Sequence, residues 1–164
     1  MFKTKVYRIP EAGRTAKGTA VVNLIGLEKD EKVTAMIPVK EFSQDKFLTM
    51  ITKQGFVKKT NLSHYDTNRK GGLIAITLRE GDELMEVDLT NGENNIILCT
   101  KHGMCIKFKE TDVRPMGRGA SGVTGIRLGE GDFVIGAGVC EDDVKLLTVT
   151  ENGFGKKTDI KEFK

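Results

Sequence analysis

The chain has 164 residues, a formal net charge of +3, 19 glycines, three prolines and no tryptophan. That length suits one domain, 1–164, and glycine above its usual share of about 7 per cent beside scarce proline suits tight turns rather than disorder. No apolar run reaches the roughly 18 residues of a membrane span, and "MFKTKVYRIPEAG" has no signal-peptide core. Cys99, Cys105 and Cys140 form no C-x-x-C pair. They are expected to be structural thiols in a reducing, cytoplasmic setting.

In chain order, residues 1–40 open part-way through a unit: "FKTKVYRI" matches the later "VKKTNLSHY", and a basic Gly-rich loop, "GRTAKG", follows. Residues 47–90 then run strand "FLTMIT", Gly turn, strand "GFVKKT", loop "NRKGG", strand, acidic turn, strand. Residues 96–140 repeat that order with "IILCT", "GMCIKF" and "GRGASG", and 146–164 hold the first half of another unit, "LLTVTENGFGKKT". Gly55, Gly103 and Gly153 recur in "TKQGF", "TKHGM" and "TENGF", each followed four residues on by Lys59, Lys107 and Lys157. Gly18, Gly72 and Gly122 close the three basic loops. "LREGDELMEV" and "LGEGDFVIGA" place Gly-Asp between apolar runs, a hairpin signal. Four strands in a repeat of about 50 residues is the arithmetic of a propeller-like blade. An all-β fold is expected, of about three four-stranded blades with two intact. The divided ends, with strand edges to satisfy, admit either a strand-exchanged two-fold homodimer or an open monomer with frayed termini.

The charges segregate inside each repeat. Residues 56–72 carry a net +3 and 79–88 a net −4; 104–122 carry +2 and 127–143 carry −4; 1–18 carry +4. Scattered solvated lysines would not recur in register. Stacked repeats would line the basic loops along one rim, as a polyanion backbone requires. Glycines beside the cations let main-chain N–H groups approach a phosphate closely. Two tyrosines, eight phenylalanines and no tryptophan argue against a base-stacking single-strand binder. The expected partner is duplex DNA held by its backbone, with Arg14, Lys17, Lys58, Lys59, Arg69, Lys70, Lys107, Arg114, Arg118 and Lys157 as phosphate contacts.

Other chemistry fails on spacing. "GRGASG" (117–122) fits G-x-G-x-x-G, but no helix follows and its two sister loops do not fit, so a dinucleotide site is excluded. "ENGFGKKT" has Thr150 where a phosphate-binding loop needs its first glycine. "EDD" (141–143) lacks the alternating ligands of a calcium loop. His64 and His102 have no ligand partners in sequence and read as exposed turn residues. No nucleophile, base and orienter can be assembled, so no catalytic residue, metal or cofactor is expected.

"VYRIPEAGRTAKGTAVVNL", "KVTAMIPVKEF", "GFVKKT", "GGLIAITLREGDEL", "VRPMGRGASGVTGIRL" and "LLTVTENGFGKKT" closely resemble the C-terminal domain of bacterial DNA gyrase A, along essentially the whole chain. That resemblance implies a partial β-pinwheel, a propeller-like disc whose basic edge wraps duplex DNA in support of negative supercoiling. It also implies the rest of gyrase A, together with gyrase B, as partners, a cytoplasmic, nucleoid-associated location and no membrane. The family's Q-R-R-G-G-K-G box is absent; "GRTAKGT", "NRKGGLI" and "GRGASGV" look like degenerate counterparts, with the box itself outside the chain. The catalytic tyrosine and the ATPase would also lie elsewhere, since Tyr7 and Tyr65 match structural positions. The alternatives are the paralogous domain of topoisomerase IV and a protein-interaction propeller.

Overall fold

The computed structural model describes residues 1–28, 31–69 and 71–163. Its strands are β1 (Phe47–Thr52), β2 (Phe56–Asn61), β3 (Leu84–Thr90), β4 (Asn95–Thr100), β5 (Cys105–Lys109), β6 (Val123–Thr124), β7 (Val134–Cys140), β8 (Lys145–Val149) and β9 (Gly155–Asp159). Short 3-10 turns stand at Val6–Arg8, Val21–Asn23, Leu62–Tyr65, Glu110–Asp112 and Ile160–Glu162. The strands make three antiparallel sheets, in the orders β3-β1-β2-β6, β5-β4-β7 and β8-β9. The all-β, propeller-like architecture expected from the repeats is what the chain forms.

One turn chemistry builds each hairpin. Gly55, Gly103 and Gly153 sit at φ +81°, +85° and +80°, a left-handed conformation that side chains with a Cβ resist. Each glycine N–H donates to the carbonyl of the threonine three residues before it. The same threonine's hydroxyl accepts from the residue after the glycine: Phe56 to Thr52 at 3.2 Å, Met104 to Thr100 at 3.3 Å, Phe154 to Thr150 at 3.2 Å. T-x-x-G is therefore a complete local instruction for a hairpin.

The Gly-Asp turns do something the sequence did not suggest. They do not join two strands paired with each other. β6, which precedes the second of them, pairs instead with β2 of the preceding repeat, Val57 opposite Val123 and Phe56 opposite Thr124. Asp82 and Asp132 turn back onto the Gly hairpins, accepting from the N–H of Gln54 at 2.8 Å and of His102 at 3.0 Å. The signal was a turn tied to a neighbouring turn: no strand among the described residues stands between β2 and the first of them, and β6, before the second, has its partner elsewhere.

β1 is buried along nearly all of its length because it is covered on both faces. Side chains alternate across a strand. Leu48 and Met50 join Leu62 and Tyr65 in one core, against Ile37, Val39 and Phe42 of the leading segment. Ile51 joins Val57, Ile96, Leu98, Val113, Ile126 and Val134 in a second core between the first two sheets. The β8–β9 hairpin leaves Leu147, Val149 and Phe154 exposed. Cys99, Cys105 and Cys140 are free thiols, and His64 and His102 are exposed. Among the described residues no helix is long and apolar enough to cross a membrane.

Candidate nucleic-acid interface

The basic loops acquire their positions from the glycines that close them. At Gly122, φ is +93°, and a Cβ would stand 2.7 Å from the Val57 carbonyl oxygen. At Gly72, φ is +77°, and a Cβ would stand 2.9 Å from the Met1 carbonyl oxygen. Gly122 thus lets its loop cross directly over β2 of the preceding repeat, and Gly72 lets its loop cross over the extended chain at Met1. Met116 N–H to the Lys59 carbonyl (2.8 Å) and Gly125 N–H to the Gly55 carbonyl (2.8 Å) fix the third-repeat loop there. The second-repeat loop is fixed by a mutual pair: Leu73 N–H to the Met1 carbonyl (2.9 Å) and the Met1 amine to the Leu73 carbonyl (2.8 Å).

The two loops also bind each other. The Thr77 hydroxyl donates to the Gly119 carbonyl at 2.9 Å, and the Thr77 N–H to the Ala120 carbonyl at 3.3 Å. Between them lies an open cleft of about 420 Å³, with Arg69 and Gly72 from one loop and Arg118 and Gly119 from the other in its lining. Consecutive repeats therefore present their arginines side by side.

The expected phosphate contacts divide into three groups. Arg14, Lys17, Arg69, Arg114 and Lys157 are exposed and Arg118 is half-buried in the cleft wall; these remain at the surface. Lys70 lies outside the described residues. The others are corrections. Lys58 and Lys59 are 0 % and 4 % exposed. The Lys58 ammonium donates to the carbonyls of Ala75 (2.6 Å) and Arg118, so both loops hang from it. The Lys59 ammonium donates to the Glu110 carbonyl at 2.9 Å. Lys107 repeats that bond one unit later, donating to the Ile160 carbonyl at 2.9 Å. The lysine that follows each Gly hairpin is thus a staple from one repeat to the 3-10 turn of the next. Its recurrence has a packing cause, and only at Lys157 is the ammonium left in solvent.

Glu110, an acidic residue inside the basic 104–122 stretch, is fully buried. Its carboxylate accepts from the Thr90 hydroxyl (2.5 Å) and the N–H groups of Gly92 (3.1 Å) and Asn94 (3.3 Å), with the Lys59 ammonium 4.0 Å away. A charge so enclosed needs this many partners. Lys3 likewise turns inward, pairing with Asp66 at 2.6 Å over the Phe42 ring.

The family described as DNA gyrase C-terminal domain, beta-propeller, matches residues 1–40, 46–91, 94–141 and 145–164. The chain belongs to that family. It is 47% identical over 163 residues to DNA gyrase A of Escherichia coli K12, covering 99% of this chain and 19% of that one. Against the Helicobacter pylori protein it is 49% identical over 160 residues, 96% of this chain and 19% of the other. The chain therefore spans about a fifth of the curated gyrase A proteins that it matches. Among solved structures, the C-terminal domain of DNA topoisomerase IV superposes with a TM-score of 0.84 at 33% identity, over 90% of this chain and 46% of that one. A DNA gyrase A C-terminal domain superposes at 0.76 with 27% identity, over 90% of this chain and 49% of that one. Membership of the gyrase C-terminal domain family thus rests on both sequence and fold.

Proposed function

We propose that the chain is a non-catalytic duplex-DNA-binding element of gyrase A, one that helps wrap the DNA segment whose passage introduces negative supercoils. One observation carries the reading: two Gly/Arg loops of successive repeats are laced together with Arg69 and Arg118 on the same cleft. Such a surface reads a phosphate backbone and not base edges. Arg14, Lys17, Arg114 and Lys157 extend it, within one domain of stacked repeats that acts in the bacterial cytoplasm, at the nucleoid, beside the rest of gyrase A and its gyrase B partner. Family membership and the 47% and 49% identity to curated gyrase A proteins support that assignment.

In isolation the chain would use its free edges on a second copy. β5 is an outer strand of its sheet, whereas the corresponding β2 is covered by β6. A strand-exchanged homodimer would cover it.

Mobility shift of a duplex at two salt concentrations tests the reading. Backbone binding weakens steeply with salt, with a slope of about 0.9 per phosphate contacted, and Arg118→Ala should lower that slope by about one for every DNA sequence tried. No shift even in low salt would leave the protein-interaction propeller as the better reading. A changed sequence preference in Arg118→Ala would instead indicate base readout.

A further inference from the structure

In each Gly hairpin the residue four before the glycine pairs with the residue two after it. The pair is Ile51 with Val57 in the second repeat, Cys99 with Cys105 in the third and Val149 with Gly155 in the trailing one. Ile51 and Val57 are 1 % and 0 % exposed, closed over by Ile96, Leu98, Ile126 and Val134 of the third repeat. A pair with no reactive group therefore satisfies this place. The third repeat puts two thiols there, and both stay half-buried instead of enclosed. Their surroundings leave them reachable. On the β7 side Cys99 lies opposite Gly136, which is exposed and has no side chain, and Met104 beside Cys105 is exposed.

The ladder brings the two sulfurs together. The Thr100 N–H donates to the Met104 carbonyl at 2.8 Å, so that pair is hydrogen-bonded and the next one along, Cys99 with Cys105, is not. Cα atoms of such non-bonded pairs stand about 4.5 Å apart, with their side chains on one face. That lies inside the roughly 4.4–6.8 Å that a disulfide spans, at the short end, where the bond is strained and readily reduced. Cys140 has no such partner. It stands opposite Asn95, four residues along β4 from Cys99, or about 13 Å away, and a disulfide spans no more than about 7 Å.

We propose that Cys99 and Cys105 form a reversible dithiol–disulfide pair, a redox modification site whose co-reactant is a small disulfide of the glutathione type. Burial pushes the Cys99 thiol up to about 12, with the adjoining Cys105 adding to the effect, so Cys105 supplies the attacking thiolate. Its sulfur attacks one sulfur of oxidised glutathione. The glutathione S–S bond breaks, and the first glutathione leaves as a thiolate that takes up the proton Cys105 gave. The mixed disulfide removes the Cys105 charge that helped to hold the Cys99 proton. Cys99 then loses that proton, its sulfur attacks the Cys105 sulfur, and the second glutathione leaves and is protonated. Two protein thiols are oxidised to one disulfide, and one glutathione disulfide is reduced to two thiols.

Mass spectrometry of the folded chain after oxidised glutathione, with alkylation and tryptic cleavage at Lys101 between the two cysteines, tests this. The intact chain should lose about 2 Da, the two hydrogens of a closed disulfide. The Cys99 and Cys105 peptides should be linked, Cys140 should be alkylated, and dithiothreitol should restore all three free thiols. Cys99→Ser, which lacks the second sulfur, should stop with one glutathione on Cys105. Cys105→Ser should react about tenfold more slowly than wild type. If either variant proves unstable, the wild-type bond still decides. Three results would each overturn the proposal: glutathione held on both cysteines without closure, a disulfide that includes Cys140, or thiols left unreacted under conditions that oxidise the urea-unfolded chain. A bond that dithiothreitol cannot reopen in the folded chain would overturn its reversibility.

Discussion

Replacing Gly122 by alanine tests the claim that the third-repeat loop is defined by where its closing glycine crosses β2. At φ +93° an alanine pays a left-handed penalty of about 1–2 kcal/mol. Its Cβ would also stand 2.7 Å from the Val57 carbonyl oxygen and 3.1 Å from the carbonyl carbon. Neither atom belongs to a flexible side chain, so the loop must lift. Lifting weakens the bonds from Met116 to Lys59 and from Gly125 to Gly55, at about 1 kcal/mol each. The expected loss is about 3 kcal/mol, or a fall in melting temperature of about 6–12 °C for a chain of this size. Gly117→Ala in the same loop is the control, since a Cβ there meets nothing within 4 Å, and it should change stability by less than about 0.5 kcal/mol. Thermal unfolding followed by circular dichroism compares the two. Equal melting temperatures for Gly122→Ala and Gly117→Ala would refute the crossing as the reason for the glycine.

Three further outcomes follow from the same geometry. Lys59→Met leaves the enclosed Glu110 carboxylate without the cation 4.0 Å away and should cost about 3–5 kcal/mol, whereas Lys157→Met, on the exposed hairpin, should cost less than about 0.5 kcal/mol; similar urea midpoints would reject the staple. Burial pushes the Asp132 carboxyl up, but hydrogen bonds from Thr100, His102 and Phe133 outweigh it and hold the group below the usual carboxylate range. Its stabilisation is thus present above the unfolded value of about 3.9 and lost as pH falls through the folded one, so Asp132→Asn should melt lower than wild type near neutrality and converge with it in acid; a gap independent of pH would count against this. Light scattering of the chain at micromolar concentration should give twice the monomer mass if β5 recruits a second copy, and a monomeric mass with protease-sensitive ends would reject strand exchange.

Much of the fold was legible because its instructions are local. T-x-x-G specifies a hairpin through one threonine and one glycine within five residues, and three copies made the repeat visible. Segregated charge located the basic loops, since loop composition is set by solvent exposure over a short stretch. What only the tertiary structure decided are the pairings between repeats. β6 carries no mark in its two residues that it belongs to the preceding sheet, and Asp82 and Asp132 carry none that they serve another hairpin. The largest revision concerns the lysines. Lys58 and Lys59 are adjacent, so in a strand they project to opposite faces, and an exposed strand would put one of them in water. Here β2 is covered on both sides, and each ammonium reaches carbonyls supplied by a later part of the chain. Whether a cation ends in solvent or in the interior depends on what the next repeat lays over it, which is a property of the stack and not of the strand.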